Sequence, residues 1–213
     1  MISAPTITLN DLREQLKTQR SVRIPATVED YFELLDQQAD DVYLEFDNHH
    51  LIARPNVNTE NHELITASVI GLLYQHFSKK PDYRLIGSNR PVYVRDCEMG
   101  FAPDVLVIKG PTELYPRKKA MAATLNPWLM VEVMSDSNRG EEFQHKLACY
   151  KRIPALQHII LIEQDYHWVS VFTRTTKANQ WLNTDSFEAT EIARIDDFAL
   201  PLTEIYRSVV FAS

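Results

Sequence analysis

Apolar residues recur at helical spacing in four segments of the chain. The longest segment begins at Thr59, and its apolar side chains over residues 65–77 fall on one face, which predicts a long amphipathic helix that ends before Pro81. The same periodicity predicts shorter helices at residues 27–35, from about 138 to 151 and at 201–209. Asn138 and Glu141 have the spacing of a capping box at the start of the 138–151 helix.

Short runs rich in apolar residues predict the strands between these helices. The run at residues 128–134 is almost entirely apolar, as expected for a central strand buried on both faces. Two strands are expected within residues 42–54, and others at 83–86, 91–95, 103–108, 156–163 and 167–174, with shorter ones near Trp181 and Phe187. Because the elements do not alternate strictly as βαβ units, we expect an α+β fold with a mixed sheet rather than a doubly wound fold.

Length and composition are those of one ordinary globular domain. The 213 residues are 45% hydrophobic and 24% charged. We expect residues 1–26 to form a peripheral N-terminal arm and residues 27–213 to form a single domain. The apolar runs are too short for a membrane helix, and the first residues lack the pattern of a secretory signal. Cys97 and Cys149 are far apart and lack CxxC spacing, so we expect reduced thiols and a cytoplasmic location.

The net charge bears on one class of possible partner, nucleic acid. At −7, it argues against a general coating of nucleic acid, although a local basic strip can still contact phosphates. The candidates for such a strip are Lys79, Lys80, Arg84, Arg90, Arg95, Arg117, Lys118 and Lys119. Taken singly, each of them is better explained as a solvated surface charge.

Two carboxylates occupy positions where the pattern expects apolar side chains. Glu132 lies inside the buried strand at 128–134, and Asp104 follows Pro103 and precedes four apolar residues. A buried carboxylate needs a cation, an ion pair or hydrogen bonds to offset its lost hydration. If the two strands pair, both carboxylates converge at one end of the sheet. With the backbone carbonyl of Val133 they provide the oxygen ligands that Mg²⁺ or Mn²⁺ prefers, and a structural ion pair is the alternative.

Three further residues are candidates for the same site. Lys146 borders the apolar stripe of the helix that follows Glu132 and could reach that carboxylate, or could simply pair with Glu142 four residues earlier. Glu45 is flanked by apolar residues and could extend the metal shell or face water at a sheet edge. His62, in the first turn of the long helix, could approach the site or cap the helix.

The order of these motifs resembles a known family. EFDNHHLI, NHELI at the start of a helix, FAPDVLVI, WLMVEVMSDSN and FQHKLACYKRIPALQHIILIEQD together resemble the Uma-two domain family of proposed endonucleases, which is expanded in cyanobacteria. The resemblance covers the chain from about residue 28 to residue 207. It implies a restriction-endonuclease-like PD-(D/E)XK core with flanking helices.

The resemblance also implies roles for individual residues. Pro103 and Asp104 match the PD of the parent motif, and Glu132 matches its glutamate. The motif lysine falls on Met134, which departs from the parent pattern, whereas the family carries a lysine in the next helix, which matches Lys146. Glu45 matches an early family acid. Two smaller departures follow: His49 stands where the family usually has glycine, and Glu142 stands where it often has aspartate.

Two functions follow from these observations. One is a Mg²⁺-dependent endonuclease that hydrolyses DNA phosphodiester bonds, in which Asp104, Glu132, Lys146 and Glu45 form the catalytic site. The alternative is a catalytically inactive nuclease fold that binds nucleic acid or protein, as the lysine missing at Met134 and the acidic net charge suggest. The apolar hairpin at residues 159–172 is a candidate homodimer interface.

Overall fold

The computed structural model describes residues 7–37, 40–87, 90–117, 122–135 and 140–211. Within these ranges two sheets of five and six strands and a separate hairpin are accompanied by five helices, which confirms the mixed α+β arrangement. No helix in these ranges is long and apolar enough to cross a lipid bilayer. Three residues of interest, Lys118, Lys119 and the expected capping residue Asn138, lie outside the described residues.

The helices follow the predicted periodicity closely. They are α1 (Leu9–Leu16), α2 (Val28–Leu35), α3 (Glu60–Phe77), α4 (Glu141–Tyr150) and α5 (Leu202–Ile205). α3 is the predicted long helix: Thr59 is its N-cap, and Ile65 and Phe77 are buried on its inner face. α4 begins at Glu141, and Gly140 at its N-cap position supplies no side-chain cap.

The strands are short and mostly antiparallel. They are β1 (Val22–Pro25), β2 (Val42–Asp47), β3 (His50–Pro55), β4 (Tyr83–Ile86), β5 (Val92–Val94), β6 (Met99–Phe101), β7 (Val105–Lys109), β8 (Pro127–Met134), β9 (His158–Glu163), β10 (Val169–Arg174), β11 (Trp181–Ser186), β12 (Ile192–Ile195) and β13 (Phe198–Pro201). The first sheet has the order β1-β3-β2-β6-β5, and the second β11-β10-β9-β8-β7-β4. The β12–β13 hairpin was not predicted. Of the two short strands expected near Trp181 and Phe187, the first is present as β11, which ends at Ser186, and Phe187 lies in no strand.

The second sheet holds the residues of greatest interest. β8 and β9 pair in parallel, whereas the other neighbouring pairs in this sheet are antiparallel, and α4 lies in the connection between them. One face of β8 packs with α3 through Val131 and Val133, and the other packs with α4 through Met130 and Met134. Every residue of β8 is buried, as predicted for a central strand.

The described part of the N-terminal segment is built into the first sheet. β1 pairs with β3 along its whole length, and Leu9, Leu12 and Val22 are buried in the same cluster as Tyr31. α1 is a two-turn helix that begins with a capping box. The division into an arm over residues 1–26 and a domain over 27–213 stays a prediction.

Cys97 and Cys149 are joined as a disulfide, with their Cα atoms 6.1 Å apart. The expectation of two separate reduced thiols is therefore wrong for this structure. Sequence distance concealed the pair, because the fold brings together residues 52 positions apart. The link ties α4 to the 3-10 turn Arg95–Cys97 between β5 and β6 of the first sheet.

Candidate metal centre and its lysine

Asp104 and Glu132 lie at the same end of the β7–β8 ladder. Val105 is paired with Val131, so extending this antiparallel register by one residue sets Asp104 opposite Glu132. Asp104 also binds the neighbouring strand directly, because the backbone N–H of Val133 donates to its Oδ2 at 2.7 Å. The strand pairing that would bring the two carboxylates together is therefore present.

Glu132 is almost fully buried, with 3% of its surface exposed, and lies on the α4 face of β8. Two α4 side chains approach its Oε1: the Tyr150 hydroxyl donates to it at 2.5 Å, and Lys146 Nζ lies 3.5 Å away. These contacts offset part of the carboxylate's lost hydration. The helix that follows β8 in sequence thus folds back to cover the acid in that strand.

Lys146 lies between carboxylates of both sheets. Its Nζ is 2.9 Å from Glu45 Oε1 on β2 of the first sheet, in addition to its contact with Glu132 on β8. The alternative of an i, i+4 pair with Glu142 is not what the structure shows, because Glu142 pairs with Arg54 at 2.7 Å. Lys146 therefore bridges the two sheets instead of lying along the exposed side of α4.

Glu45 is a buried member of this network rather than a solvated edge acid. β2 is the central strand of the first sheet, and the Glu45 side chain is 12% exposed. Its second oxygen accepts from Arg54 Nη1 at 2.5 Å. Charges consequently alternate along a chain of contacts in the order Glu142, Arg54, Glu45, Lys146 and Glu132.

Burial and neighbouring charges shift the proton affinities of this network. Burial raises the pKa of Glu132 to about 7; the charges of Asp104 and Glu45 add to the rise, whereas Lys146 and the Tyr150 hydroxyl oppose it. Burial alone would lower the pKa of Lys146, but the charges of Glu132 and Glu45 outweigh burial and raise it well above its usual value. Lys146 is therefore charged at neutral pH.

The pKa of Glu45 shifts in the opposite direction to that of Glu132. Burial would raise it, but the positive charges of Lys146 and Arg54 outweigh burial and lower it. The first-sheet acid is consequently held as a carboxylate. Glu132 contacts Lys146 and borders the cleft, and it is the acid whose net pKa shift is upward.

His62 approaches the other acid. Its Nε2 lies 3.3 Å from Asp104 Oδ1, so of the two alternatives for this residue the structure favours an approach to the site. Burial lowers the pKa of His62, but contact with the Asp104 carboxylate outweighs burial and the net shift is upward. The backbone N–H of His62, not its side chain, takes part in capping, because it donates to the Thr59 hydroxyl.

The two carboxylates border a cleft of about 540 Å³. Its wall combines Asp104 and Glu132 with the start of α3 and the ends of β3 and β9. Burial raises the pKa of Glu132 and the charge of Asp104 adds to the rise, so a divalent cation beside the two carboxylates would stabilise their charged forms. This donor set fits a hard cation such as Mg²⁺ or Mn²⁺, with the Val133 carbonyl as a further oxygen. No group of three His, Cys, Asp or Glu residues within the described ranges forms a metal cage.

Most of the proposed basic strip lies elsewhere. Lys80 pairs with Asp197 beyond the far end of α3, Arg84 contacts the Gly110 carbonyl, and Arg117 pairs with Asp36. None of the described members of the strip lines the cleft, whose wall includes Arg20 and Arg54 instead. Apart from Lys146, the basic residues near the carboxylates are thus Arg20 and Arg54, which the sequence did not single out.

Sequence reasoning also missed Tyr150 as a polar partner, because its helical spacing places it on the apolar stripe of α4. Arg54 was passed over because its partners come from β2 and α4, and nothing local in the sequence indicates such contacts. A signal for Tyr150 was available: a buried tyrosine hydroxyl needs a partner, and Glu132 is the acid in the preceding strand.

Comparison with known proteins places this chain in a family. A solved structure from Anabaena variabilis, described as a putative nuclease belonging to DUF820, shares the fold with a TM-score of 0.60 at 17% identity, covering 94% of this chain and 98% of the other. The uncharacterized protein sll1609 of Synechocystis sp. is 31% identical over 125 residues, which are 59% of this chain and 68% of the relative. The Uma2 family model, described as "Putative restriction endonuclease", matches residues 28–203. The chain therefore belongs to the Uma2 family.

Proposed function

We propose that this protein is a metal-dependent endonuclease that hydrolyses phosphodiester bonds of DNA. The observation that carries the proposal is the position of Lys146, whose Nζ lies 3.5 Å from Glu132 beside an acid pair that borders an open cleft. Membership in the Uma2 family supports the reaction class. The proposal also specifies DNA as the substrate and Mg²⁺ or Mn²⁺ as the metal.

Asp104, Glu132 and the Val133 carbonyl would hold the metal. When bound, a divalent cation lowers the pKa of a coordinated water and neutralises charge on the scissile phosphate. Asp104 is prepared for this role because the Val133 N–H fixes one of its oxygens at 2.7 Å. Tyr150 and Lys146 hold Glu132 at its Oε1, so both carboxylates are fixed in position before an ion binds.

Lys146 would supply the remaining positive charge. In the parent motif this lysine stands two residues after the glutamate, where the chain has Met134, and Met134 packs with α4 in the apolar cluster. A lysine on α4 approaches the glutamate from the adjacent helix instead. Its ammonium stabilises negative charge that develops on the phosphate oxygens as the bond breaks. Glu45 and Arg54 position Lys146, because Glu45 contacts both cations.

The test is cleavage of supercoiled, linear and single-stranded DNA with Mg²⁺, Mn²⁺ or EDTA. Wild type is compared with Glu132→Gln and with Glu141→Gln, which changes the same residue type on an exposed position of α4. We expect metal-dependent cleavage that Glu132→Gln abolishes and Glu141→Gln retains. Equal cleavage by wild type and Glu132→Gln would show that this site is not the nuclease centre.

The second candidate is a binding module that keeps the nuclease fold without its activity. The observation in its favour is that Lys146 is already paired with two carboxylates, so its charge is partly neutralised before any phosphate arrives. Absence of cleavage on all three DNA forms, together with saturable DNA binding, would favour it. Calorimetry with Mn²⁺ separates the two, because the binding module has no need of a metal.

Assembly and location belong to the same proposal. A homodimer would place two sites for cleavage of both DNA strands, but the hairpin suggested as its interface lies inside the second sheet, and β9 is completely buried. Only the turn of the hairpin, with Tyr166 53% exposed, and the second half of β10 remain for contact with a second copy, and light scattering at micromolar concentration tests for it. A cytoplasmic location is also proposed; the Cys97–Cys149 link weighs against it because disulfides are rare in that compartment.

A further inference from the structure

The start of α3 is fastened to the end of β9. The hydroxyl of the N-cap residue Thr59 donates to Gln164 Oε1 at 2.7 Å, and the Asn61 amide donates to the Gln164 carbonyl and to the Val210 carbonyl. These contacts determine where the first turn of α3 lies relative to the second sheet. The same contacts hold His62, in that turn, beside Asp104, which directly precedes β7.

The two oxygens of Asp104 have different partners. Oδ2 accepts from the Val133 N–H at 2.7 Å, and Oδ1 lies 3.3 Å from His62 Nε2. The imidazole is only 10% exposed, and His62 Nδ1 is buried with no hydrogen-bond partner among the described residues. The Nε2 edge of the ring thus contacts the carboxylate, and Nδ1, on the other edge, has no hydrogen-bond partner among the described residues.

This arrangement determines which nitrogen carries the proton. A proton on Nδ1 alone would leave a buried N–H unpaired and would set the Nε2 lone pair against a carboxylate lone pair. A proton on Nε2 satisfies the donor and the acceptor together. Nε2 carries that proton in the neutral ring with this tautomer and in the imidazolium as well, so the contact does not depend on the charge of the ring.

We propose that His62 is a positioning residue: its Nε2–H donates to Asp104 Oδ1 and, with the Val133 N–H, holds the carboxylate in the orientation that receives the metal. The inference rests on the proposed function in that Asp104 is taken as a ligand. A direct role for His62 as a third ligand is not supported, because the described residues contain no cluster of three such groups suited to a metal. Hydrogen bonds to ligating carboxylates of this kind commonly tune metal affinity.

Calorimetry with Mn²⁺ on the full chain tests the effect on binding. His62→Gln places an amide N–H near the original Nε2, whereas His62→Asn places one near Nδ1, so the two variants differ in whether a donor reaches Asp104. We expect His62→Asn and His62→Ala to weaken Mn²⁺ binding roughly 10- to 100-fold, and His62→Gln to restore most of that affinity. Thermal unfolding without metal checks that each variant is folded.

A second measurement needs no metal. Long-range ¹H–¹⁵N spectra of the metal-free protein report the tautomer of each histidine, and His62→Gln assigns the signal. We expect His62 to carry its proton on Nε2, and Asp104→Asn to shift that signal. A proton on Nδ1, or no response to Asp104→Asn, would overturn the inference whatever the metal does.

The outcomes separate the inference from the function on which it rests. Wild type that binds Mn²⁺ with the same affinity as all three His62 variants overturns the positioning role and leaves the metal site intact. A loss in His62→Gln as large as that in His62→Ala also overturns it, since the ring itself would then be required. Wild type that fails to bind Mn²⁺ removes the metal site and with it the metal-directed role, even if the spectra show the hydrogen bond.

Discussion

Lys146 Nζ lies 2.9 Å from Glu45 Oε1, so a lysine on a helix of the second sheet is paired with an acid from the middle of the first. The same ammonium lies 3.5 Å from Glu132. Because both acids are buried, each contact limits the positions that Lys146 can adopt. The position of this lysine is therefore determined by the packing of the two sheets.

Removal of the Lys146 charge should affect cleavage more than metal binding. We expect Lys146→Met to lower the cleavage rate by about 100-fold or more, since one preorganised charged donor commonly contributes this much. Lys151→Met, at the C-cap of α4 where the lysine lies over the Phe172 ring, serves as the control. Single-turnover cleavage and Mn²⁺ calorimetry are the measurements. Cleavage by Lys146→Met at the wild-type rate would exclude the proposed role.

Glu45 should contribute to stability at neutral pH and lose this contribution in acid. Its pKa is lowered in the folded protein, because Lys146 and Arg54 outweigh burial, so its stabilisation is present above its unfolded value of 4.5 and is lost as the pH falls through the lowered folded value. We expect Glu45→Ala to cost about 3 kcal/mol at pH 7, because two buried cations lose a partner. Urea unfolding at pH 7 and pH 3 tests this; the cost should shrink at the lower pH.

The hydroxyl of Tyr150 should matter because it donates to Glu132 at 2.5 Å. Tyr150→Phe leaves the ring in place and removes one hydrogen bond to a charged group, which is worth about 2 kcal/mol. We expect that loss of stability and a lower cleavage rate. Tyr74→Phe, at a residue that is 63% exposed, should change neither. If the two variants behaved alike in urea unfolding, the hydrogen bond would contribute nothing measurable.

His49 occupies a backbone conformation that favours glycine. Asn48 and His49 have φ values of 43° and 63° in the turn between β2 and β3, and the related family usually has glycine where this chain has His49. His49→Gly should raise the free energy of unfolding by roughly 1 kcal/mol, because the left-handed region costs a side-chain-bearing residue about that much. The exposed contact with Glu98 that is lost is worth little. His50→Gly, in β3, should destabilise instead; a lower melting temperature for His49→Gly would contradict the argument.

The disulfide should add stability only under oxidising conditions. Closure of a loop with a sequence separation of 52 residues constrains the unfolded chain by up to about 4 kcal/mol. We expect dithiothreitol to lower the melting temperature of the wild type and to leave a Cys97→Ser, Cys149→Ser double variant unchanged. Mass spectrometry of the alkylated protein establishes whether the bond is formed. Two freely alkylated cysteines in the untreated protein would contradict the link.

The sequence predicted best what short stretches of chain determine. β8 and α3 follow from runs of apolar residues, and Glu132 attracted attention because it interrupts such a run. Arg54 was not singled out, because its two partners lie 9 and 88 residues away and only the folded chain brings them together. The β12–β13 hairpin was missed for a related reason: its strands have four residues each, too few for a clear alternation pattern.

Lys146 shows what helical spacing in the sequence predicts and what only the folded structure determines. Its spacing along α4 allowed a pair with Glu142 as readily as a reach toward Glu132, because helical periodicity gives neighbours on the same helix only. In the structure Glu142 pairs with Arg54 at 2.7 Å, so it is not the partner of Lys146. The resemblance to the family indicated the lysine's role, and the contact with Glu45 depends on the docking of the two sheets.

The order of these residues along the chain has a consequence during synthesis. Asp104, Glu132 and Glu45 leave the ribosome before α4, which carries Lys146 and Tyr150. A nascent chain that ends at β8 has the acids without the lysine, and β9, the parallel neighbour of β8, has yet to be made. If the proposed cleavage requires Lys146, a growing polypeptide of this kind lacks that activity until α4 is synthesised and packs between the two sheets.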